Sequence, residues 1–310
     1  MKILFAGSPW FAATCLEALI ESGHHVAAVL TQADKKTGRG QKTSEVPVKL
    51  LANKHSIPLH QPEKFDDKTI EKLKQYKADI MVVFAYGKIL PKKALDIPRL
   101  GCINIHTSLL PAWRGASPII HSLLHGDKTS GISIIQMDEH MDTGDMLAQA
   151  SCPISADDTQ NTLTEKLTHL ACPLLLKTLN HIDHIKPKKQ NHDKASYSKK
   201  ISKSDASIDW SKTSSEIECF IRAFNPWPVA FCHHKTTRLR IWQAKQKIAS
   251  HQAKPGSIIH IDSKGLYIAC GQGMLQCEVL QFEGKAKQDI ASIYHNLPEW
   301  CKVDAVLESI

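Results

Sequence analysis

The stretch CINIHTSLLPAWRGASPI, residues 102–119, begins as an apolar strand and ends in a proline-containing loop. Side chains alternate along a strand, so Ile103 and Ile105 share one face while Asn104 and His106 share the other. The spacing therefore predicts an amide and an imidazole side by side at the carboxyl end of a buried strand.

Apolar strands and helical patterns alternate around this stretch. We predict strands over residues 2–6, 25–31, 57–61, 79–85, 101–106 and 131–137, and helices over 11–20, 46–55, 66–77, 88–95, 116–125 and 159–183. Residues 32–46 lack apolar periodicity and predict a mobile loop. Alternating strands and helices are typical of a mostly parallel sheet covered on both faces, so the sequence predicts an α/β, Rossmann-like N-terminal domain.

Polar side chains gather at the predicted ligand-binding edge of this sheet. Ligands of such sheets bind beyond the carboxyl ends of the strands, where Asn104 and His106 lie. The segment 137–147, MDEHMDTGDML, follows another apolar strand and supplies Asp142 and Asp145, either of which could meet His106. An amide donor, an imidazole and a carboxylate are suited to acyl transfer. No nucleophilic Ser or Cys stands in a recognisable turn nearby, which favours direct attack by a substrate amine.

A second domain is predicted from the change in composition after residue 185. Residues 186–204 are polar and Lys-rich, which is typical of a linker. Beyond them we predict a helix over 214–223 and short strands over 229–233, 238–243, 257–261, 265–270 and 274–282. This pattern indicates a small antiparallel barrel or sandwich. The predicted domains are therefore 1–185, the linker 186–204, and 205–310.

The positive charge is concentrated in the second half of the chain. Of the net charge of +8, residues 1–185 contribute +1, with 20 Lys and Arg against 19 Asp and Glu. Residues 186–310 contribute +7, with 19 against 12. This asymmetry favours an acidic partner such as nucleic acid for the basic half, the alternative being a Lys-rich solvated face.

Several classes of protein are disfavoured by the sequence. No apolar run approaches the roughly 20 residues of a membrane helix, so we expect no association with a membrane. The nine cysteines form no CxxC pair and are typical of reduced thiols in the cytoplasm. The histidine pairs lack companion ligands at zinc spacing, so we expect no metal. The turn at Gly7 lacks a GxGxxG fingerprint, which leaves a dinucleotide cofactor unsupported.

The residues 102–119, followed by ISIIQMDEHMDTGDML at 132–147, resemble the formyltransferases that use 10-formyltetrahydrofolate. The resemblance covers nearly the whole chain. It extends to FAGSPWFA at 5–12, TQADKKTGRG at 31–40, VVFAYGKILP at 82–91 and RAFNPWPVAF at 222–231. These motifs resemble those of the family members whose formyl acceptor is methionyl-initiator-tRNA. The resemblance implies that the protein is a monomer and that its C-terminal domain is an OB-fold-like β-barrel.

The resemblance also implies a role for particular residues. Asn104, His106 and Asp142 would be the catalytic trio. The implied folate-contacting residues are Phe84, Tyr86, Gly87, Leu90, Ser108, Leu109, Leu110 and Pro111. Arg39, in a Gly-flanked loop, corresponds to the position that meets the tRNA acceptor end. The C-terminal barrel would hold the tRNA body by phosphate contacts, with Lys199, Lys200, Lys203, Arg238 and Arg240 as candidates.

Two residues depart from the family pattern. Trp10 replaces a usual acidic residue, and His140 replaces a usual Gly, which would alter the turn before Asp142 if that Gly needed a positive φ. Three other functions stay open. They are formyl transfer to a small amine such as glycinamide ribonucleotide or an amino sugar nucleotide, hydrolysis of 10-formyltetrahydrofolate, and RNA binding without catalysis.

Overall fold

A computed structural model describes residues 1–37 and 42–309 of the chain. The chain divides into two compact units. The first unit comprises Met1–Pro118, Thr129–Pro153 and Thr164–Ser198, and the second comprises Ile119–Lys128, Ile154–Leu163 and Lys199–Ile310.

The first unit is built on a seven-stranded sheet in the order β10-β9-β7-β6-β1-β2-β5. Its strands are β1 (Lys2–Gly7), β2 (His25–Leu30), β5 (Leu59–His60), β6 (Ile80–Phe84), β7 (Cys102–His106), β9 (Thr129–Gln136) and β10 (Met146–Pro153). Five neighbouring strands of this sheet pair in parallel, in the order β7, β6, β1, β2 and β5, whereas β9 runs antiparallel to both β7 and β10. Four short strands lie outside this sheet: β3 (Lys35–Thr37), β4 (Lys42–Ser44), β8 (Arg114–Gly115) and β11 (Tyr197–Ser198).

The central strands are buried on both faces because their sequences are continuously apolar. All five residues of β6, IMVVF, are buried, as are the last five residues of β1. Such runs form parallel strands covered by helices on both sides. The helices of the chain are α1 (Trp10–Glu21), α2 (Pro47–Lys54), α3 (Asp67–Lys74), α4 (Lys92–Leu95), α5 (Pro118–Leu124), α6 (Gln160–Asn180), α7 (Ser214–Ala223) and α8 (Ile290–Ile293). Short 3-10 helices occupy Ile182–His184, His192–Lys194 and Ser204–Ala206.

The second unit is built on an antiparallel sheet in the order β12-β13-β16-β15-β14, with β17 paired to β16. Its strands are β12 (Phe231–His234), β13 (Thr237–Lys247), β14 (Ile258–Asp262), β15 (Gly265–Ala269), β16 (Met274–Phe282) and β17 (Gln288–Asp289). Near the chain end, Glu308 bridges to His233 and Val306 bridges to Ser257. This last segment thus bridges to β12 at one edge of the sheet and to the residue before β14 at the other. The hydrophobic core of this unit includes Trp210 and Leu280.

The predicted fold class is confirmed: a mostly parallel α/β sheet is followed by an antiparallel sheet. Three local features differ from the sequence-based expectations. Residues 32–46, expected to be a loop, contain the short strands β3 and β4. Strand β10 was not predicted, because only its first residue, Met146, is an apolar side chain that is buried. The expected linker 186–204 is divided, since residues up to Ser198 belong to the first unit and those from Lys199 to the second.

Among the described residues, none of the helices is both long enough and apolar enough to cross a lipid bilayer.

Candidate active site

Strand β7 places an amide and an imidazole on one face, as its alternation predicts. Ile103 and Ile105 are buried, Asn104 is half-buried, and His106 is 5% exposed. In the register with β9, Asn104 lies opposite Ile135 and His106 opposite Ser133. Both polar side chains therefore stand near the carboxyl end of a strand whose other face is apolar.

Asp142 joins these two side chains from the turn between β9 and β10. Its Oδ1 accepts a hydrogen bond from Asn104 Nδ2 at 3.2 Å, and its Oδ2 lies 3.5 Å from His106 Nδ1. The same Oδ2 accepts a hydrogen bond from the backbone N–H of Gly115 at 2.8 Å. The alternative carboxylate, Asp145, contributes its backbone carbonyl to Gln136 N instead. The structure therefore brings Asp142 rather than Asp145 to His106.

A backbone carbonyl fixes the orientation of the imidazole. His106 Nε2 lies 3.0 Å from the carbonyl oxygen of Trp113. Because a carbonyl only accepts hydrogen bonds, Nε2 carries the hydrogen of this contact, while Nδ1 lies on the side of the Asp142 carboxylate. The ring is thus held at both nitrogens, with its Nδ1 toward the carboxylate.

Two features of the turn aim the Asp142 carboxylate. Asp142 has a φ of 55°, a left-handed conformation that Asp tolerates better than most side chains do. Gly144 lies against β9, where a Cβ would stand 1.7 Å from the carbonyl oxygen of Gln136. His140, by contrast, is not among the described non-glycine residues with positive φ, so its replacement of a glycine imposes no strain there.

The loop 108–111, one of the two predicted folate-contacting segments, is ordered by Ser133. The Ser133 hydroxyl donates to the Ser108 carbonyl at 2.7 Å and accepts from the Leu110 backbone N–H at 2.9 Å. The peptide bond between Leu110 and Pro111 is cis. Leu109 is half-buried and lies against Gly131, where a Cβ would be 2.5 Å from Leu109 Cδ2.

The other predicted folate-contacting segment follows β6. Phe84, Tyr86 and Leu90 are all buried, and Gly87 has a φ of 75°, a conformation that favours glycine. Burial raises the pKa of the Tyr86 hydroxyl to about 12. The side chains of Phe84, Tyr86 and Leu90 therefore pack into the first unit, while Ile89 is 85% exposed, so a ligand here would meet the backbone and the Ile89 side chain.

The predicted tRNA-contacting residues fall into three groups. Arg39 lies outside the described residues. Lys199, Lys200 and Lys203 are exposed, and Lys199 forms an ion pair with Asp205 at 3.4 Å. Arg238 and Arg240 stand two residues apart in β13, so they share its outer face, while Leu239 and Ile241 are buried.

Sequence reasoning missed two groups that contact Asp142. The backbone N–H of Gly115 leaves no side-chain signature in a sequence. Gln190 donates from Nε2 to the Asp142 carbonyl at 2.8 Å, but it lies in the segment expected to be a linker. Trp10, the other departure from the family pattern, is 42% exposed at the start of α1, where its ring meets that of Phe11 edge-on at 5.7 Å.

The site combines a fixed amide donor, a held imidazole and a carboxylate beside a chain turn. No group of three or more His, Cys, Asp or Glu side chains suited to a metal ion occurs within the described part of the chain. Such an arrangement can stabilise an oxyanion and accept a proton from an amine, which are the two requirements of acyl transfer to nitrogen.

Two family models match successive parts of the chain. The model described as formyl transferase matches residues 1–179, and the model described as formyl transferase, C-terminal domain, matches residues 200–298. The chain belongs to the formyl transferase family.

Curated relatives extend over nearly the whole chain. A methionyl-tRNA formyltransferase of Legionella pneumophila is 47% identical over 287 residues, covering 92% of this chain and 91% of the relative. A methionyl-tRNA formyltransferase of Coxiella burnetii is 48% identical over 288 residues, covering 92% of each chain. This is the branch of the family that the chain resembles along more than nine tenths of its length.

A solved structure shares the fold at lower identity. The N-formyltransferase of Helicobacter canadensis, in complex with folinic acid and dTDP-3-aminofucose, superposes with a TM-score of 0.68 at 20% identity. The match covers 89% of this chain and 99% of that one.

Proposed function

We propose that this enzyme transfers the formyl group of 10-formyltetrahydrofolate to the α-amino group of methionyl-initiator-tRNA, giving N-formylmethionyl-tRNA for translation initiation. The observation that carries this proposal is the meeting of Asn104, His106 and Asp142 at the end of β7. It occurs in a chain that is 47% identical over 92% of its length to a methionyl-tRNA formyltransferase.

The acceptor chemistry explains why the amine needs no covalent intermediate on the protein. Esterification to tRNA removes the methionine carboxylate and lowers the basicity of its amine, which leaves more neutral nucleophile at neutral pH. The amine nitrogen attacks the formyl carbon, and the formyl oxygen takes the negative charge. Collapse of this tetrahedral intermediate breaks the bond to N10, and the amine proton ends on the tetrahydrofolate nitrogen.

Asn104 is placed to stabilise the developing oxyanion. One hydrogen of its Nδ2 is donated to Asp142, which fixes the amide plane. The second hydrogen of the same nitrogen is then aimed by that plane and can be donated to the formyl oxygen. A preset donor of this kind needs no reorganisation as charge develops.

Asp142 and His106 manage the proton of the attacking amine. The carboxylate accepts from the Gly115 N–H and lies 3.5 Å from His106 Nδ1. We assign to Asp142 the removal of the ammonium proton, directly or through water, and to His106 a share in stabilising the oxyanion that forms when the amine attacks the formyl carbon. The Trp113 carbonyl keeps the imidazole in the orientation that this role needs.

The co-substrates fit the two units separately. The loop 108–111, ordered by Ser133, and the segment 84–90 are the proposed folate-contacting walls, and backbone groups there can hold a flat pterin. Folinic acid, a formylated folate, is bound in the Helicobacter canadensis structure. The proposed tRNA-binding surface lies on the second unit, at Lys199, Lys200, Lys203, Arg238 and Arg240.

The test is formyl transfer from 10-formyltetrahydrofolate to methionyl-initiator-tRNA, measured as N-formylmethionyl-tRNA formed. With the full chain we expect one N-formylmethionyl-tRNA to form for each 10-formyltetrahydrofolate consumed, over many turnovers. Parallel reactions would supply glycinamide ribonucleotide, an amino sugar nucleotide, or water alone as the acceptor. If 10-formyltetrahydrofolate is consumed only in one of those reactions, the site acts on that acceptor. If tRNA binds but no formyl group is transferred to any acceptor, the protein is not a formyltransferase.

A further inference from the structure

A short segment after α6 is fastened to the strands that carry the candidate site. We call residues 188–198 the strap. Its first residue, Lys188, exchanges two backbone hydrogen bonds with Met146, at 2.8 and 2.9 Å. Its end, β11, pairs in parallel with β8, where the Arg114 N–H donates to the Ser196 carbonyl at 2.8 Å. The strap is therefore anchored at both ends within the first unit.

Close packing shows that the strap has a fixed seat beside β8. Gly115 has a φ of 118°, and a Cβ at this position would lie 2.3 Å from the Ser198 carbonyl oxygen. The backbone of β8 therefore approaches the strap more closely than a side chain would permit. The Gly115 N–H, meanwhile, donates to the Asp142 carboxylate. One residue of β8 thus contacts both the strap and the catalytic carboxylate.

Within the strap, Gln190 grips the turn that bears Asp142. Its side chain is buried, with 5% of the residue exposed. Its Nε2 donates to the carbonyls of Asp142 and Gly144, both at 2.8 Å. These carbonyls lie on either side of Thr143, so the amide clamps the backbone on both sides of the residue after Asp142. The left-handed φ of Asp142 is held in place by this contact.

A buried arginine determines which way the Gln190 amide points. Arg114 is 2% exposed and donates from Nε and Nη2 to Gln190 Oε1, at 3.1 and 2.7 Å. Because a guanidinium only donates, the oxygen of Gln190 must face Arg114 and the nitrogen must face the turn. His192 Nδ1 also lies 3.2 Å from Arg114 Nη2. The charge of the buried guanidinium polarises the Gln190 amide that accepts its hydrogen bonds.

We propose that Gln190 is a positioning residue for Asp142, and that Arg114 is the anchor that aligns it. The pair fixes the main chain of the turn while Gly115 fixes the carboxylate, which sets the distances from Asp142 to Asn104 and His106. The inference rests on the proposed function, since it takes Asp142 as catalytic. It makes the strap a working part of the site rather than a connection between units.

The decisive variant is Gln190→Glu, because it separates the two contacts of the amide. A glutamate keeps an acceptor for Arg114 but offers no hydrogen to the Asp142 and Gly144 carbonyls. We expect kcat for formyl transfer to fall about 10- to 100-fold, as when a ligand-orienting contact is lost. KM for both substrates should change less than about threefold, because Gln190 is buried and its amide is engaged by Arg114 and by the turn. The pH dependence of kcat should also shift, since the Asp142 carboxylate is displaced from His106.

The matched control is Gln276→Glu. Gln276, buried in β16 of the second unit, also donates from Nε2 to a backbone carbonyl, that of Lys264, at 2.7 Å. The same substitution there should leave kcat and its pH profile close to those of the unaltered enzyme. Equal losses of kcat in both variants would overturn the proposal, because they would show a general effect of a carboxylate beside carbonyls.

A second variant covers the case in which Gln190→Glu does not fold. Gln190→Asn keeps the amide but shortens the side chain by one methylene, which draws its donor away from the turn. We expect a loss of kcat in the same direction, with unchanged KM. Unaltered kcat in either folded variant would overturn the positioning role. Should the unaltered enzyme itself fail to formylate methionyl-initiator-tRNA, the proposed function fails first, which separates the two conclusions.

Discussion

Asn104 is the residue whose contribution can be isolated most simply. Its Nδ2 is aligned by Asp142, and removal of one oxyanion donor costs about 10²–10³ in turnover. We therefore expect Asn104→Ala to lower kcat on that scale while folate binding is retained. Single-turnover formylation and a folate-binding titration measure the two quantities. Asn53→Ala, an exposed asparagine of α2, serves as the control and should leave both unaltered.

The backbone geometry at His140 makes the opposite kind of prediction. His140 is exposed and lacks the positive φ that would require a glycine. We expect His140→Gly to change kcat/KM by no more than about twofold, as is usual for a surface substitution worth under about 0.5 kcal/mol. Steady-state kinetics with methionyl-initiator-tRNA checks this. A tenfold loss would mean that the His140 side chain has a role in the turn.

At this scale the sequence predicts side-chain direction better than it predicts contacts between distant segments. The alternation in β7 is enough to pair Asn104 with His106, because strand geometry alone sets that spacing. Residue chemistry alone leaves both Asp142 and Asp145 as partners for His106; the family resemblance indicates Asp142, and the structure brings that carboxylate to the ring. Gln190 is 48 positions away from Asp142, so only the folded chain reveals their contact.

Among the elements, α7 carries a complete capping box. The Thr213 hydroxyl accepts from the Glu216 backbone N–H at 3.2 Å, and Glu216 Oε2 accepts from the Thr213 backbone N–H at 2.9 Å. Loss of an N-cap side chain costs about 1 kcal/mol, which is the destabilisation we expect for Thr213→Ala. Urea unfolding measures it. Ser215→Ala, in the same first turn, is the control and should not be destabilising.

The same capping box predicts a pH dependence. The backbone N–H of Thr213, followed by its side chain, lowers the pKa of Glu216 in the folded state. A lowered folded-state pKa means that the carboxylate stabilises the fold above its ordinary pKa of 4.5, and that this stabilisation disappears as the pH falls through the folded value. We therefore expect Glu216→Gln to destabilise the chain at pH 7 and to have no effect at low pH. Urea midpoints across this range test the sign, and a constant difference would contradict it.

The elements that the sequence predicts least well are those held by polar and backbone groups. The strands of the parallel sheet are apolar runs, so their positions follow from burial alone. The strap is rich in lysine because exposed side chains such as Lys194 point away from the first unit. Its attachment depends on Gln190, Ser196 and backbone carbonyls, and the amino-acid composition of a segment does not reveal such contacts. Composition therefore predicts a linker where the structure has an anchored segment.

For the whole molecule, the excess of Lys and Arg in the second half of the sequence is shared between the two units. Residues 186–198 carry four Lys against one Asp and belong to the first unit with the trio, while residues 199–310, the bulk of the second unit, carry 15 Lys and Arg against 11 Asp and Glu. A formyl transfer site needs no basic surface for a small amine. A macromolecular acceptor with a phosphate backbone accounts for the combination, because phosphate contacts supply affinity without requiring base recognition.

The proposed contacts between basic side chains and tRNA phosphates predict a salt-dependent affinity for tRNA. Each phosphate neutralised by a Lys or Arg releases bound counterions, so log K for binding should fall linearly with log salt concentration. Lys200 is exposed in the second unit, and we expect Lys200→Gln to reduce the steepness of this dependence by about one contact. Lys74→Gln removes the same charge from α3 of the first unit, where Lys74 pairs with Glu71 at 2.8 Å, and should leave the slope unaltered. Filter binding of methionyl-initiator-tRNA over a salt series measures both slopes. Identical slopes for the two variants would show that net charge, rather than a contact made by Lys200, sets the affinity, and the tRNA surface would then have to be sought elsewhere on the chain.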